Sequence, residues 1–124
     1  MIRIYKSVQS FKYAWKGLSF CFQSENNFKI HCLAALNAIF FGIYFDISNI
    51  EWCLIIFAIG IVLITEIINT AIEKIVDFVC PDQNPKAGLI KDISAAAVVM
   101  ASVVAALIGG IVYLKYVIFK LTFM

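Results

Sequence analysis

The sequence predicts an all-α, polytopic membrane protein with three transmembrane helices and an N-terminal amphipathic interfacial helix, and three observations predict it. Of the 124 residues, 63% are apolar and 15% charged. An average soluble domain has about 45–50% apolar and about 25% charged residues, so the excess points to lipid as the solvent. Three long apolar runs are separated by short polar connections. Ahead of them, apolar residues recur at three- and four-residue steps, the spacing of one helix face.

The whole chain, 1–124, reads as one domain. Residues 1–29 form the interfacial segment. Within it Val8, Phe11, Trp15, Leu18 and Phe22 share a face, while Lys12, Lys16 and Gln23 fall elsewhere. Tyr13 and Trp15 suit the headgroup layer. The alternative, a solvated helix on a soluble core, sits poorly with the apolar runs that follow. The first span covers 30–45, which is short against the roughly 20 residues a bilayer needs, but it can extend back through Asn27 and Phe28. Asp46 to Glu51 make a brief polar connection. The second helix covers 52–80, with its apolar part ending at Thr65. Pro81 and Pro85, around Asp82, Gln83 and Asn84, break it into a loop. The third helix covers 91–119. Its stretch Ile93–Leu114 carries no charge, and Lys115 and Lys120 end it.

Charge distribution orients the chain. Five Lys and Arg residues precede the first span, none lies in the first connection, three lie around the second, and two are in the C-terminal tail. The positive-inside rule then predicts a cytoplasmic N-terminus and proline loop. The net charge of +2 gives no reason to expect nucleic acid as a partner. The four cysteines form no C-x-x-C pair, which removes zinc-ribbon and thioredoxin readings. The mixed, lysine-containing N-terminal stretch does not read as a secretory signal. Ala97, Ala101, Ala105 and Gly109 stand at four-residue steps. Such a stripe lets backbones approach closely, either within one chain or between copies in a homo-oligomer.

The chemistry concentrates after Thr65. On a helix, Glu66, Asn69, Glu73 and Asp77 are spaced three, four and four, and so share one face. Glu66 directly follows a long apolar run, where an ionisable group is expensive and functional by default. At 1.5 Å per residue, Glu66 to Asp77 covers roughly 16 Å, about the reach of a nucleotide polyphosphate and a lipid headgroup. Three carboxylates on one face call for compensation by a divalent cation, lysines or protons. Lys91-Asp92 and Glu25 lie on the same predicted side. These residues alone leave two functions open: a phosphotransferase at the membrane surface, or a small oligomeric cation or proton channel. A purely structural membrane protein would leave the burial of Glu66 unexplained. No Walker A motif and no kinase-type Gly-rich loop is present, and Gly109-Gly110 lie too deep to cradle a phosphate.

The stretch Glu66-Ile67-Ile68-Asn69-Thr70-Ala71-Ile72-Glu73, then Asp77, then Lys91-Asp92 with Ser94-Ala95-Ala96-Ala97-Val98, closely resembles the signature of bacterial diacylglycerol/undecaprenol kinases. Phe11-Lys12-Tyr13-Ala14-Trp15-Lys16-Gly17 and Ser24-Glu25-Asn26-Asn27-Phe28-Lys29-Ile30-His31 resemble that family's N-terminal portion. The resemblance spans nearly the whole chain in the same order.

That resemblance implies a homotrimer with active sites shared between subunits. It implies a lipid kinase that transfers the γ-phosphate of ATP, with Mg²⁺, to a membrane lipid alcohol, diacylglycerol or undecaprenol, at the bacterial inner membrane. By the same resemblance Glu66 is the catalytic base and Asn69 helps set up its site. Glu25 and Glu73 bind the metal that ATP carries. Lys91 and Asp92 lie near the nucleotide phosphates, with Asp77 on the same face. Tyr13 contacts the nucleotide, as do Asp82, Gln83 and Asn84, and Lys6 takes a position where a basic residue is expected. The two prolines make the loop stiffer than in some members, and a lysine at position 6 binds phosphate without the bidentate fork of arginine. Asn27-Phe28-Lys29-Ile30-His31 looks more like the undecaprenol branch, and His31 reads either as a substrate or ATP contact or as the partner of a nearby polar group.

Overall fold

The computed structural model describes residues 2–124, and all regular structure among them is helical: α1 Ile2–Ser24, α2 Asn26–Phe45, α3 Asn49–Val79 and α4 Pro85–Thr122. Helices α2, α3 and α4 are each long and apolar enough to cross a membrane. At 1.5 Å per residue, the 20 residues of α2 span about 30 Å, the thickness of a bilayer's hydrocarbon core. The 31 residues of α3 reach about 46 Å, so about a third of it must project past the hydrocarbon. The C-terminal third of α3 carries Asn69, Glu73 and Asp77.

The connections are shorter than hydropathy alone suggests, because capping chemistry recruits their ends into helix. Only Glu25 separates α1 from α2; its φ of −106° and ψ of 109° turn the chain, while its N–H still bonds Cys21 O at 3.0 Å. Helix α2 stops at Asp46, whose left-handed φ of 51° lets its own N–H reach Ile43 O and the Ile47 N–H reach Gly42 O. This double closure satisfies carbonyls that a helix end leaves open. Two residues later Ser48 and Glu51 form a capping box: Glu51 N–H donates to Ser48 Oγ and Ser48 N–H to Glu51 Oε1. Helix α3 therefore begins at Asn49 rather than at Trp52. At the other end, Pro85 opens α4. Asn84 caps it by accepting the Lys86 N–H at 2.9 Å, and proline at the first helical position gives up an N–H that had no partner. The loop is only Cys80–Asn84, and α4 starts six residues before the expected position 91.

Helix α3 is the central element. It packs most extensively on α4 and also against α2, and the three helices together line a crevice. The buried core lies near the Asp46–Ser48 turn, where Ile47, Ile55 and Val112 are wrapped by Phe45, Trp52, Tyr113 and Tyr116. Helices α2 and α4 otherwise touch little, and Tyr113 ties them by donating its hydroxyl to Ala38 O at 2.5 Å. At Gly42 the approach of α2 to α3 is so close that a Cβ there would come within 2.5 Å of the Trp52 ring. Glu51 completes this end. Besides its capping role, it takes the Tyr116 hydroxyl at 2.5 Å and pairs with Lys115 at 3.0 Å. From the alanine stripe, Ala101 is buried within the chain, while Ala97 is exposed. Most of the surface of the three spans faces outward from the single chain.

Candidate functional site

The acidic face of α3 opens at the end of the molecule away from the core. Glu66 is buried, 3% exposed, although its side chain is charged when ionised. Its Oε1 lies 3.3 Å from His31 Nε2, which reaches across from α2. Thr70, one turn on, is also buried and donates its hydroxyl back to Glu66 O at 3.0 Å, so it spends its polarity within the helix. Asn69 sits half-buried between two partners. Its Nδ2 donates to Glu73 Oε1 at 3.3 Å and its Oδ1 accepts from Ser94 Oγ of α4 at 2.7 Å. One further turn out, Lys91 of α4 donates to Asp77 Oδ1 at 2.5 Å. Lys91 and Ser94 are three apart and share a face of α4, so the two helices meet along a ladder of polar contacts.

Two concavities flank this ladder. A groove of about 540 Å³ is lined by His31, Glu66, Asn69, Glu73 and Ser102, with apolar residues of α4 such as Val99 completing its wall. A second hollow of about 570 Å³ lies in the loop after α3 and gathers Asp77, Asp82, Gln83, Asn84 and Lys91. The first combines a carboxylate with an apolar wall, as the hydroxyl end of a lipid requires. The second is lined by the charged side chains of Asp77, Asp82 and Lys91, and its one ammonium, that of Lys91, is paired with Asp77.

Glu25, half-buried at the α1–α2 corner, and Glu73 both lie within electrostatic range of Glu66. Among the described residues no three His, Cys, Asp or Glu side chains stand close enough to hold a metal ion by themselves. Mg²⁺ keeps several waters and is usually bound by one or two carboxylates together with substrate phosphates, so it does not require such a cluster. Lys6 and Tyr13 are exposed on α1, and Asp92 is exposed on α4; none of the three lines either concavity of a single chain. Ser94 and Ser102 received no role from the sequence. Ser94 was detectable as the polar position one turn after Lys91, whereas Ser102 in the groove follows only from how α4 packs on α3.

The chain is similar to known proteins over most of its length. Residues 12–113 match the family model for prokaryotic diacylglycerol kinase. The chain is 35% identical over 106 residues to the undecaprenol kinase of Bacillus subtilis, covering 86% of each chain. It is 36% identical over 93 residues to the diacylglycerol kinase of Escherichia coli, covering 75% of this chain and 76% of that one. It is 33% identical to the diacylglycerol kinase of Synechocystis over 102 residues, 82% of this chain and 58% of that longer one. Nothing in these matches supports the channel that the acidic face alone left open. Three apolar helices, a buried acid on the central one and a match over most of its length together mean that this chain belongs to the prokaryotic diacylglycerol kinase family.

Proposed function

We propose that the protein is an ATP-dependent lipid kinase that transfers the γ-phosphoryl group of Mg-ATP to the hydroxyl of a membrane lipid alcohol, diacylglycerol or undecaprenol. The observation that carries this reading is Glu66, a buried carboxylate in a groove whose far wall is apolar, beside a hollow containing Lys91.

The lipid hydroxyl enters the groove from the membrane and never needs to leave it. Glu66 accepts its proton as the oxygen attacks the γ-phosphorus. The bond from that phosphorus to the β,γ-bridging oxygen breaks, ADP leaves, and Glu66 later returns the proton to water. A positioned base of this kind contributes about 10²–10⁴-fold to a rate. Phosphoryl transfer otherwise depends on positioning and charge stabilisation. Asn69, held from both sides by Ser94 and Glu73, fixes the neighbouring turn of α3. Lys91 binds phosphate oxygens by exchanging its Asp77 partner, and Asp82, Gln83 and Asn84 hold the nucleotide in the loop hollow, with Asp92, next in sequence to Lys91, near the phosphates. Glu25 and Glu73 would hold Mg²⁺, which when bound neutralises charge on the phosphate oxygens.

In this reading α1 lies in the headgroup layer as an amphipathic helix, with Phe11 and Trp15, both exposed in the single chain, turned to lipid. Three copies assemble, and Lys6 and Tyr13 complete the nucleotide site of a neighbouring copy. The N-terminus and the site face the cytoplasm at the inner membrane, where ATP is available and where the excess of Lys and Arg argues they belong.

The test is transfer of labelled phosphate from Mg-ATP in mixed micelles, with diacylglycerol and undecaprenol offered separately. Magnesium-dependent labelling of either lipid supports the kinase, and the ratio of rates names the acceptor. No labelling of either, by protein that is folded and oligomeric, would overturn it.

A further inference from the structure

Helix α2 brings two polar residues, Asn27 and His31, to the groove that holds Glu66, and of these His31 meets the carboxylate. His31 Nε2 stands 3.3 Å from Glu66 Oε1, with the carboxylate 4% and the imidazole 22% exposed. Among the described residues, His31 is the one side chain paired with that carboxylate; the contact lies between different helices, so it depends on how α2 packs on α3. His31 also lies at a junction. It lines the groove that holds Glu66, and it lines a second, apolar crevice of about 220 Å³ that continues between α2, α3 and α4 past Ala34, Ala38, Ala58 and Ala105. Ser102 and Ala106 are the other residues common to both. A hydrocarbon chain lying in the crevice would bring its polar end out beside His31.

We propose that His31 is a positioning residue for Glu66: it holds Oε1 so that the second carboxylate oxygen faces the point where the apolar crevice opens into the polar groove, which is where a lipid hydroxyl arrives. This rests on the lipid kinase reading given above. A carboxylate offers two oxygens, and a partner on one of them fixes the direction of the other. Without the imidazole, Glu66 keeps its place on α3 but its χ angles are free to turn the carboxylate toward Asn69 or Glu73. A misplacement of about 1 Å between a base and its proton can cost about 10²-fold in rate. A merely structural histidine would behave differently: its loss would lower the fraction of folded protein and leave the turnover of what remains as it was.

The experiment compares the intact protein with His31→Leu and His31→Gln in the mixed-micelle assay, with oligomeric state and thermal midpoint measured on the same samples. His31→Leu is expected to lower kcat by about 10²-fold while the KM for ATP stays within about twofold, because the nucleotide hollow is untouched. His31→Gln, whose amide N–H can reach the same oxygen, is expected to recover most of that loss. Near-normal kcat in folded His31→Leu would overturn the proposal. So would a His31→Gln variant as impaired as His31→Leu, or a fall in activity that follows the loss of folded protein. If the intact protein labels no lipid at all, the kinase reading fails first and takes this proposal with it; if it labels lipid and His31→Leu does so equally well, only the role of His31 falls.

Discussion

Helix α3 carries a glutamate at each end of its apolar stretch, and the two are treated differently. Glu51, at the Asp46–Ser48 turn, has a side chain 12% exposed and surrounded by partners: the Ser48 N–H, the Tyr116 hydroxyl and the Lys115 ammonium. Glu66, about four turns on, is 4% exposed at its side chain, pairs with His31 alone and faces a groove. Glu66 is the more deeply buried of the two, yet fewer donors meet its carboxylate. An acid with one oxygen held by two fixed donors and the other facing only the Lys115 charge is a structural joint, since breaking those contacts leaves a desolvated charge. A buried acid with a free oxygen beside an open cavity costs stability and keeps its capacity for a substrate. The rest of each end agrees with this. Near Glu51 lie the core of Ile47, Ile55 and Val112 and a tight glycine contact; near Glu66 lie two concavities and a ladder of polar side chains.

Substitutions at the two ends should therefore separate activity from stability. The largest effect is expected at Glu66. Glu66→Gln should lower lipid phosphorylation by about 10²–10⁴-fold, measured as initial rate in mixed micelles, with the fold intact. Next comes Gly42→Ala at the opposite end. The new methyl meets the Trp52 ring, so the variant should lose about 1–3 kcal/mol of stability as overpacking displaces that ring, read from a denaturation curve in detergent. Its turnover below the transition should match the parent protein. Ser94→Ala removes the hydroxyl that donates to Asn69, so it should cost about 1 kcal/mol of stability and, by loosening Asn69, lower kcat/KM by a few-fold. Ser48→Ala, which removes the α3 cap, should cost about 0.5–2 kcal/mol of stability and leave the rate unchanged. An activity defect in Gly42→Ala or Ser48→Ala without loss of stability would mean that the two ends are coupled along α3, and would break the contrast.

The contrast was only half legible in the sequence. The acidic face could be read because it lies on one helix: the spacing of Glu66, Asn69, Glu73 and Asp77 needs nothing but the helical period. The three spans could be read because lipid demands long apolar runs. Asn69 meeting Ser94 and Asp77 meeting Lys91 are contacts 25 and 14 residues apart, set by how α4 lies on α3, and periodicity does not report them. The pairing of His31 with Glu66 is of the same kind. The structural role of Glu51 is a different case. Ser48-Asn49-Ile50-Glu51 is a capping-box pattern, visible in the sequence, but its polar residues read as a loop between spans. Pro85 was likewise read as a helix breaker, although in the first position of α4 it starts one. Lys6, Tyr13 and Asp92 line neither concavity of a single chain, and the role proposed for each rests on the family resemblance.

The most direct measurement takes Glu51→Gln and Glu66→Gln in parallel, each removing one charge from the same helix, and records lipid phosphorylation and thermal midpoint on every sample. Glu66→Gln should lose its turnover and keep its midpoint, while Glu51→Gln should lose midpoint and, below it, keep turnover. A Glu66→Gln protein that phosphorylates lipid at the parent rate would contradict the assignment of Glu66 as the base and, with it, the distinction between the two ends of α3.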